Sequence, residues 1–303
     1  NFAGWKDGKM ENLIISTVAQ GLLWAVMALG VYLTFRVLDI ADLTVEGSFP
    51  LGAATAAALM TTGHSVGFAI FMAAVAGMLA GVVTGFLTTR MKIPALLAGI
   101  LTMIALYSVN LRIMGKANIS LLGVDTLFTM VQDKLDLTSI QTTFLVGLVA
   151  TLVIGFAMYW FFGTEIGAAI RATGFNRQMI RAQGVNTDMT IILGLLISNA
   201  LVAVSGALVG QSNGFADVGM GVGTIVIGLA SVIIGEVLFG TRSFKNCMIS
   251  VVLGSVVYRI VIAAVLQMGM PPNDLKLFTS VLVALALSMP LLKQKVQRRK
   301  AGC

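Results

Sequence analysis

Nine apolar runs, six of them longer than the roughly 20 residues a helix needs to cross about 30 Å of hydrocarbon, decide what this chain can become. They fall at residues 13–35, 49–62, 66–88, 93–114, 142–162, 189–211, 222–239, 247–268 and 277–292. The runs are near-continuous rather than alternating, which excludes a barrel and predicts an all-α, polytopic membrane protein of about nine transmembrane helices. One of these, the short second run, is expected to be broken or half-spanning. A chain 57% hydrophobic and only 11% charged has the composition of an integral membrane protein. Its 33 glycines, with many alanines, serines and threonines inside the runs, suit helices that approach closely in lipid. A single transmembrane domain over residues 1–303 follows. The polar start with Lys6 and Lys9 is shaped like a leader, but the run behind it is too long and lacks a small-residue cleavage site. It reads as the first span, with Met10 a candidate initiator.

Basic residues set the expected orientation. With the tail KQKVQRRK inside, 13 lysines and arginines fall in inner loops and 4 in outer ones, the other three lying within or at the ends of spans. The N-terminus is then outside, the C-terminus inside, and residues 163–188 cytoplasmic. The basic tail answers to anionic membrane lipid rather than to nucleic acid.

Two stretches interrupt the apolar pattern. Between Arg36 and Pro50 lie Asp39, Asp42 and Glu46, and the next helix is expected to start near Ser48 as its cap, with Pro50 in the first turn. From Ser48 to His64 there is length for only about 22 Å of helix, so the helix is expected to begin inside the membrane. Non-helical backbone at that depth lines a cavity or a path. The alternative is acidic residues in cytosolic water before a tilted or short helix. The second stretch, residues 163–188, reads as two capped short helices: Thr164 caps the first, Gly174 ends it in left-handed conformation, Asn176 caps the second and Gly184 ends it. Asn186 or Thr187 caps the run that follows. Arg171, Arg177 and Arg181 make this platform basic. It suits presentation to another protein, or else it is a solvated loop whose arginines fix topology.

Polar residues inside the runs, Asn110, Asn199, Ser205, Gln211, Glu236 and Arg259, should face protein or water, with Glu236 and Arg259 as candidate partners for each other. His64, the one histidine, sits in a short loop, and Cys247 and Cys303 form no disulfide or metal pattern. No phosphate loop, dinucleotide fingerprint, metal-ligand cluster or nucleophile with a histidine partner is present. The chain therefore does not read as an enzyme and carries no cofactor of its own, so any ATP used is bound by a partner subunit.

Two segments, DLTVEGSFPLGAATAAAL (residues 42–59) and EIGAAIRATGFNRQMIRAQGVNTD (165–188), resemble the permeases of ATP-binding-cassette importers for ribose and branched-chain amino acids. The first matches their DLSVGS-like segment and the second their GRxxxAxGxNxxAARxxGI cytoplasmic segment. Through ALLAGILTMIALYSVNLRIMGKANISLLG, GEVLFGTRSFKN and GMPPNDLKLFT the chain is more similar still to the tryptophan/tyrosine-type uptake permeases.

The resemblance implies a cell-membrane homodimer docked on a cytoplasmic ATP-binding subunit dimer and fed by an extracytoplasmic solute-binding protein. It implies import of a small amino-acid-like solute, of aromatic type. The coupling residues would be Arg171, Gly174, Asn176, Arg177, Arg181 and Gly184. The translocation path would be lined by Asp42, Glu46, Ser48, Asn110, Asn199 and Gln211. Glu46 is an insertion relative to the broader family, so ligand contacts of sugar permeases do not carry over. Relative to permeases with an extra first span, the chain starts one span later. The alternative from another class is a stand-alone secondary transporter, for which intramembrane acid or histidine relays and a two-fold repeat would be expected.

Overall fold

Small residues at four-residue spacing decide how the central helices meet. The computed structural model describes residues 2–268, 277–281 and 284, with side chains described from Asn12 onward. Helix α1 (Phe2–Tyr32) widens into a π-helical turn, Leu33–Val37, where the first break begins. Helices α2 (Val45–Thr61), α3 (Val66–Thr89) and α4 (Ala95–Met114) follow. Beyond them come strand β1 (Asn118–Ser120), the short helix α5 (Leu127–Leu135) and the long helix α6 (Ser139–Phe162). The platform holds α7 (Glu165–Phe175) and α8 (Arg177–Ala182). The chain continues as α9 (Thr187–Asn213), β2 (Phe215–Asp217), a 3-10 turn (Val218–Gly221), α10 (Thr224–Phe239) and α11 (Phe244–Gln267).

Helix α9 is the axis of the bundle, enclosed by α1, α2 and α3. Two thirds of the spans Asn12–Val37 and Thr187–Asn213 are buried, against 39% or less for the other five, so these two form the inner pair. A stripe on α3, Gly77, Gly81 and Gly85, lies directly on α9. A Cβ on Gly77 or Gly81 would overlap the carbonyl oxygens of Asn199 and Leu195. That approach is the small-residue packing that membrane helices use in place of a hydrophobic driving force. Larger side chains fill the remaining core: Leu23, Met27, Val31, Phe49 and Val202 form one cluster, and Leu29, Leu33, Leu38, Phe162, Ile170 and Leu195 form another.

Among the described residues, seven segments are long and apolar enough to cross a membrane. They match seven of the nine runs, with ends displaced by a few residues. The second run is the 17-residue α2, short of a full span as expected. The ninth run, 277–292, lies largely outside the described residues; its 277–281 and 284 are helical.

Three expectations need correction. The fold is not wholly α: β1 and β2 pair antiparallel, with Ile119 opposite Ala216, both turned inward. Ser48 does not cap α2. Asp42 Oδ1 accepts the Thr44 N–H at 2.9 Å, so the turn is made earlier and the helix starts at Val45 with Thr44 at the N-cap. Pro50 therefore lies inside the helix and leaves the Glu46 carbonyl without its helical donor. Gly174 does not end α7 either. The helix runs on through Phe175, and no left-handed conformation occurs at 174.

Candidate functional site

The chain loses helical geometry after Val37 and regains it at Val45, and most of the residues between are packed in protein, Asp39 alone among them being exposed. Leu38, Ile40, Asp42 and Thr44 are all 3% exposed or less. Glycines from three helices make room for this break. Gly99 of α4 lies against Leu43 and Thr44, Gly194 of α9 against Leu38, and Gly174 of α7 directly against the Val37 carbonyl, where a Cβ would overlap the oxygen. The platform helix α7 therefore touches the break itself.

A buried polar clasp holds the other side of the break. Asn199 of α9 donates from Nδ2 to Asp42 Oδ2 at 2.9 Å and to the Leu195 carbonyl at 3.0 Å, while its Oδ1 accepts from Ser48 Oγ at 2.7 Å. Both Asp42 oxygens are thus partnered. Hydroxyls extend the clasp: Thr44 bonds Thr84 at 2.7 Å, which donates to Thr102 at 2.9 Å, joining α2 to α3 and α4. Every side chain named in the clasp is at most 3% exposed, so its donors and acceptors would be costly to leave unpaired.

One turn further on, Glu46 is half-buried and accepts from the Gly223 N–H at 3.1 Å through Oε1. It lines a cavity of about 350 Å³ between α2, α4 and the 3-10 turn, together with Asn110, Met103, Tyr107, Ser108 and Val222. Asn110 is wholly buried. Its Nδ2 donates to the Gly47 carbonyl at 3.3 Å, and its Oδ1 has no partner among the described residues.

The twelve sequence-derived residues thus divide by place. Asp42, Ser48 and Asn199 form the clasp, while Glu46 and Asn110 meet at the cavity. Gln211 stands apart near the far end of α9, accepting from the Leu127 N–H at 2.9 Å. On the platform, Thr164, Asn176 and Asn186 cap α7, α8 and α9 through side-chain oxygens, and Gly184 ends α8 at φ +86°. Arg171 lies over the Phe244 ring at 4.8 Å. Arg181 donates to Thr187 Oγ1 at 2.7 Å and lies 3.6 Å from Asp188. Arg177 is exposed.

Glu236 and Arg259 do not pair with each other. Glu236 is bonded to Arg36 at the start of the break, and the Arg259 guanidinium sits 4.2 Å from the Trp24 ring centroid. Sequence reasoning put the two ionic residues on neighbouring spans and missed their partners, which come from the first helix and its π-helical turn, 200 residues away or more. It also missed Phe175 and Met179, exposed apolar residues on the polar platform, and the cavity wall of Tyr107 and Val222. Exposed apolar residues inside a polar loop were the available signal for the first pair. His64 lies in an exposed loop, bonded to Thr62 at 3.0 Å.

These observations define a multi-pass helical membrane protein whose polar groups gather around a broken helix and whose polar platform bears on that break. Residues 13–287 match the family described as the branched-chain amino acid transport system, permease component, and the chain belongs to that family. It is 39% identical over 296 residues to the tyrosine transport system permease protein of Clostridioides difficile strain R20291, covering 95% of each chain. It is 34% identical over 294 residues to an uncharacterised protein of Rickettsia prowazekii strain Madrid E, covering 91% of this chain and 97% of that one. To the galactofuranose transporter permease protein of Escherichia coli K12 it is 27% identical over 203 residues, 66% of this chain and 57% of that one. The chain is a transport permease of the cell membrane and not an enzyme.

Proposed function

We propose that this chain is the transmembrane subunit of an ATP-driven importer for an aromatic amino acid. It works as a homodimer with a separate cytoplasmic ATP-binding subunit dimer and an extracytoplasmic solute-binding protein. Family membership over 275 of 303 residues, with a tyrosine permease among the relatives, is the observation that carries this reading. Residues 1–303 act as one transmembrane domain. The lysine and arginine balance supports an outer N-terminus and an inner C-terminus, with α7 and α8 in the cytoplasm. ATP is bound by the partner, and this chain holds no cofactor.

The geometry supports a coupling route. The ATPase bears on α7 and α8 around Arg171, Gly174, Asn176, Arg177, Arg181 and Gly184. Movement of α7 reaches the break through Gly174 and Val37, then the Asp42, Ser48 and Asn199 clasp, then the cavity at Glu46 and Asn110. Ile104 and Tyr107 are exposed on the α4 face of that cavity, and a second copy of the chain closes it there. Gln211 belongs to the far end of the same path.

The test is co-purification of the chain with its ATPase and binding protein, followed by reconstitution into vesicles. Labelled tyrosine or tryptophan is expected to accumulate only with ATP on the platform side and binding protein on the other. Accumulation driven by an ion gradient without the ATPase would overturn the reading.

A further inference from the structure

We propose that Glu46 and Asn110 form a receptor for the protonated amine of the solute, within a cavity where no basic side chain among the described residues offers a counter-charge to the solute's carboxylate. The inference deepens the transport reading and rests on it for its role in the cycle, but the binding chemistry stands on the cavity itself.

Asn110 has an acceptor to spare. An amide can be placed either way round, but here Nδ2 is committed to the Gly47 carbonyl at 3.3 Å, so Oδ1 is the atom left over. That oxygen is buried and unpartnered among the described residues. A buried acceptor without a donor is unfavourable and is satisfied when a ligand brings an N–H or O–H.

Glu46 has acceptor capacity to spare as well. Its one hydrogen bond among the described residues is from the Gly223 N–H to Oε1, at 3.1 Å, and no basic side chain among them pairs with it. The Glu46 carbonyl and the Pro50 ring both lie against Gly221 of the 3-10 turn. The carboxylate therefore keeps acceptor capacity and an uncompensated negative charge at the edge of a largely apolar cavity.

Glu46 and Asn110 together present acceptors and one negative charge, which is the complement of an alkylammonium with its three N–H donors. The walls add Pro50, Met103, Ile104, Tyr107 and Val222, apolar and aromatic surface against which a ring packs. The cavity's size, about 350 Å³, lies at the lower end of small-molecule sites. No lysine or arginine among the described residues lines it. A carboxylate there would meet Glu46 without a counter-charge, so the amine and the ring are what the cavity recognises. The ligand class is a primary aromatic amine, of which an aromatic amino acid is one form.

The experiment uses the purified full chain in detergent, titrated by calorimetry and thermal shift with three probes of one skeleton: tyramine, tyrosine and 3-(4-hydroxyphenyl)propanoate. Tyramine is expected to bind at least as tightly as tyrosine, and the propanoate not to bind. Glu46→Gln keeps an oxygen for the Gly223 N–H and should fold, yet weaken tyramine at least about tenfold, the loss of one charge-assisted contact. Glu46→Asp should recover part of that loss. Equal binding of tyramine by the wild type and Glu46→Gln, or equal binding of the propanoate, would overturn the receptor. In vesicles the two readings separate. ATP-driven uptake with no amine dependence on Glu46 removes the receptor alone. Amine binding that depends on Glu46, in a chain that takes up nothing with ATP, supports the receptor and removes the importer.

Discussion

Asn199 ties α9 to the break, because it partners Asp42 and Ser48 at once and closes its remaining donor on Leu195. Replacing it by leucine leaves a buried carboxylate oxygen and a buried hydroxyl without their partners. Asn199→Leu is therefore expected to cost about 2–6 kcal/mol, two buried polar groups left unpaired at about 1–3 kcal/mol each. The change is measured as a lowered thermal midpoint of the detergent-purified chain; a midpoint within a degree of the wild type would remove the clasp from the account. Sequence reasoning had picked out all three residues but gave Ser48 the wrong role. A serine before an apolar run is a good cap by local rules. Here the Asp42 carboxylate takes over the start of the helix, and the Ser48 hydroxyl is drawn to α9, 151 residues away. Thr164, Asn176 and Asn186 were legible because their partners lie within three residues.

At the scale of elements, the spans were legible and the joints between them were not. Hydropathy over some 20 residues sums many small transfer terms, so the seven long segments emerge with small errors at their ends. Three-residue strands carry no period to read, which is why β1 and β2 escaped notice, and α5 is too short and mixed to stand out. Gly174 shows another limit, since a glycine serves either a left-handed turn or a close approach, and the letter is the same. Gly184 is the first kind, at φ +86° with open space around it, and Gly174 is the second. The two alanine variants should therefore differ. Gly184→Ala is expected to cost about 1–2 kcal/mol from backbone strain, with the smaller effect of the two on uptake per ATP. Gly174→Ala meets the Val37 backbone, which yields less easily than a side chain, and is expected to cost about 1–3 kcal/mol while also lowering uptake per ATP hydrolysed. Equal coupling in the two variants would take α7 out of the transmission route.

For the whole molecule, the docking surface proposed on α7 and α8 was marked in the sequence by charge alone. Arg171, Arg177 and Arg181 look equivalent in sequence, yet two of them are engaged within the chain, over Phe244 and against Thr187 and Asp188. Reversing Arg181 would put like charge beside Asp188 and disturb the start of α9, mixing a folding effect with a docking effect. Arg177 carries no such contact among the described residues, and beside it Phe175 is 92% exposed, a large ring standing in water at the joint between α7 and α8. Buried aromatic anchors dominate binding energy in protein interfaces, while rim charges act on encounter rate and salt dependence. Phe175→Ala is accordingly expected to weaken capture of the ATPase by at least about 1 kcal/mol, roughly fivefold or more, with the chain's own thermal midpoint unchanged. Arg177→Glu should instead steepen the loss of ATPase as salt is lowered, because the introduced charge repels a surface complementary to arginine. Both are read as ATPase retained on the immobilised chain across a salt series. Retention indifferent to Phe175 at every salt would move the docking surface away from the joint between α7 and α8, and with it the route from the ATPase to Val37.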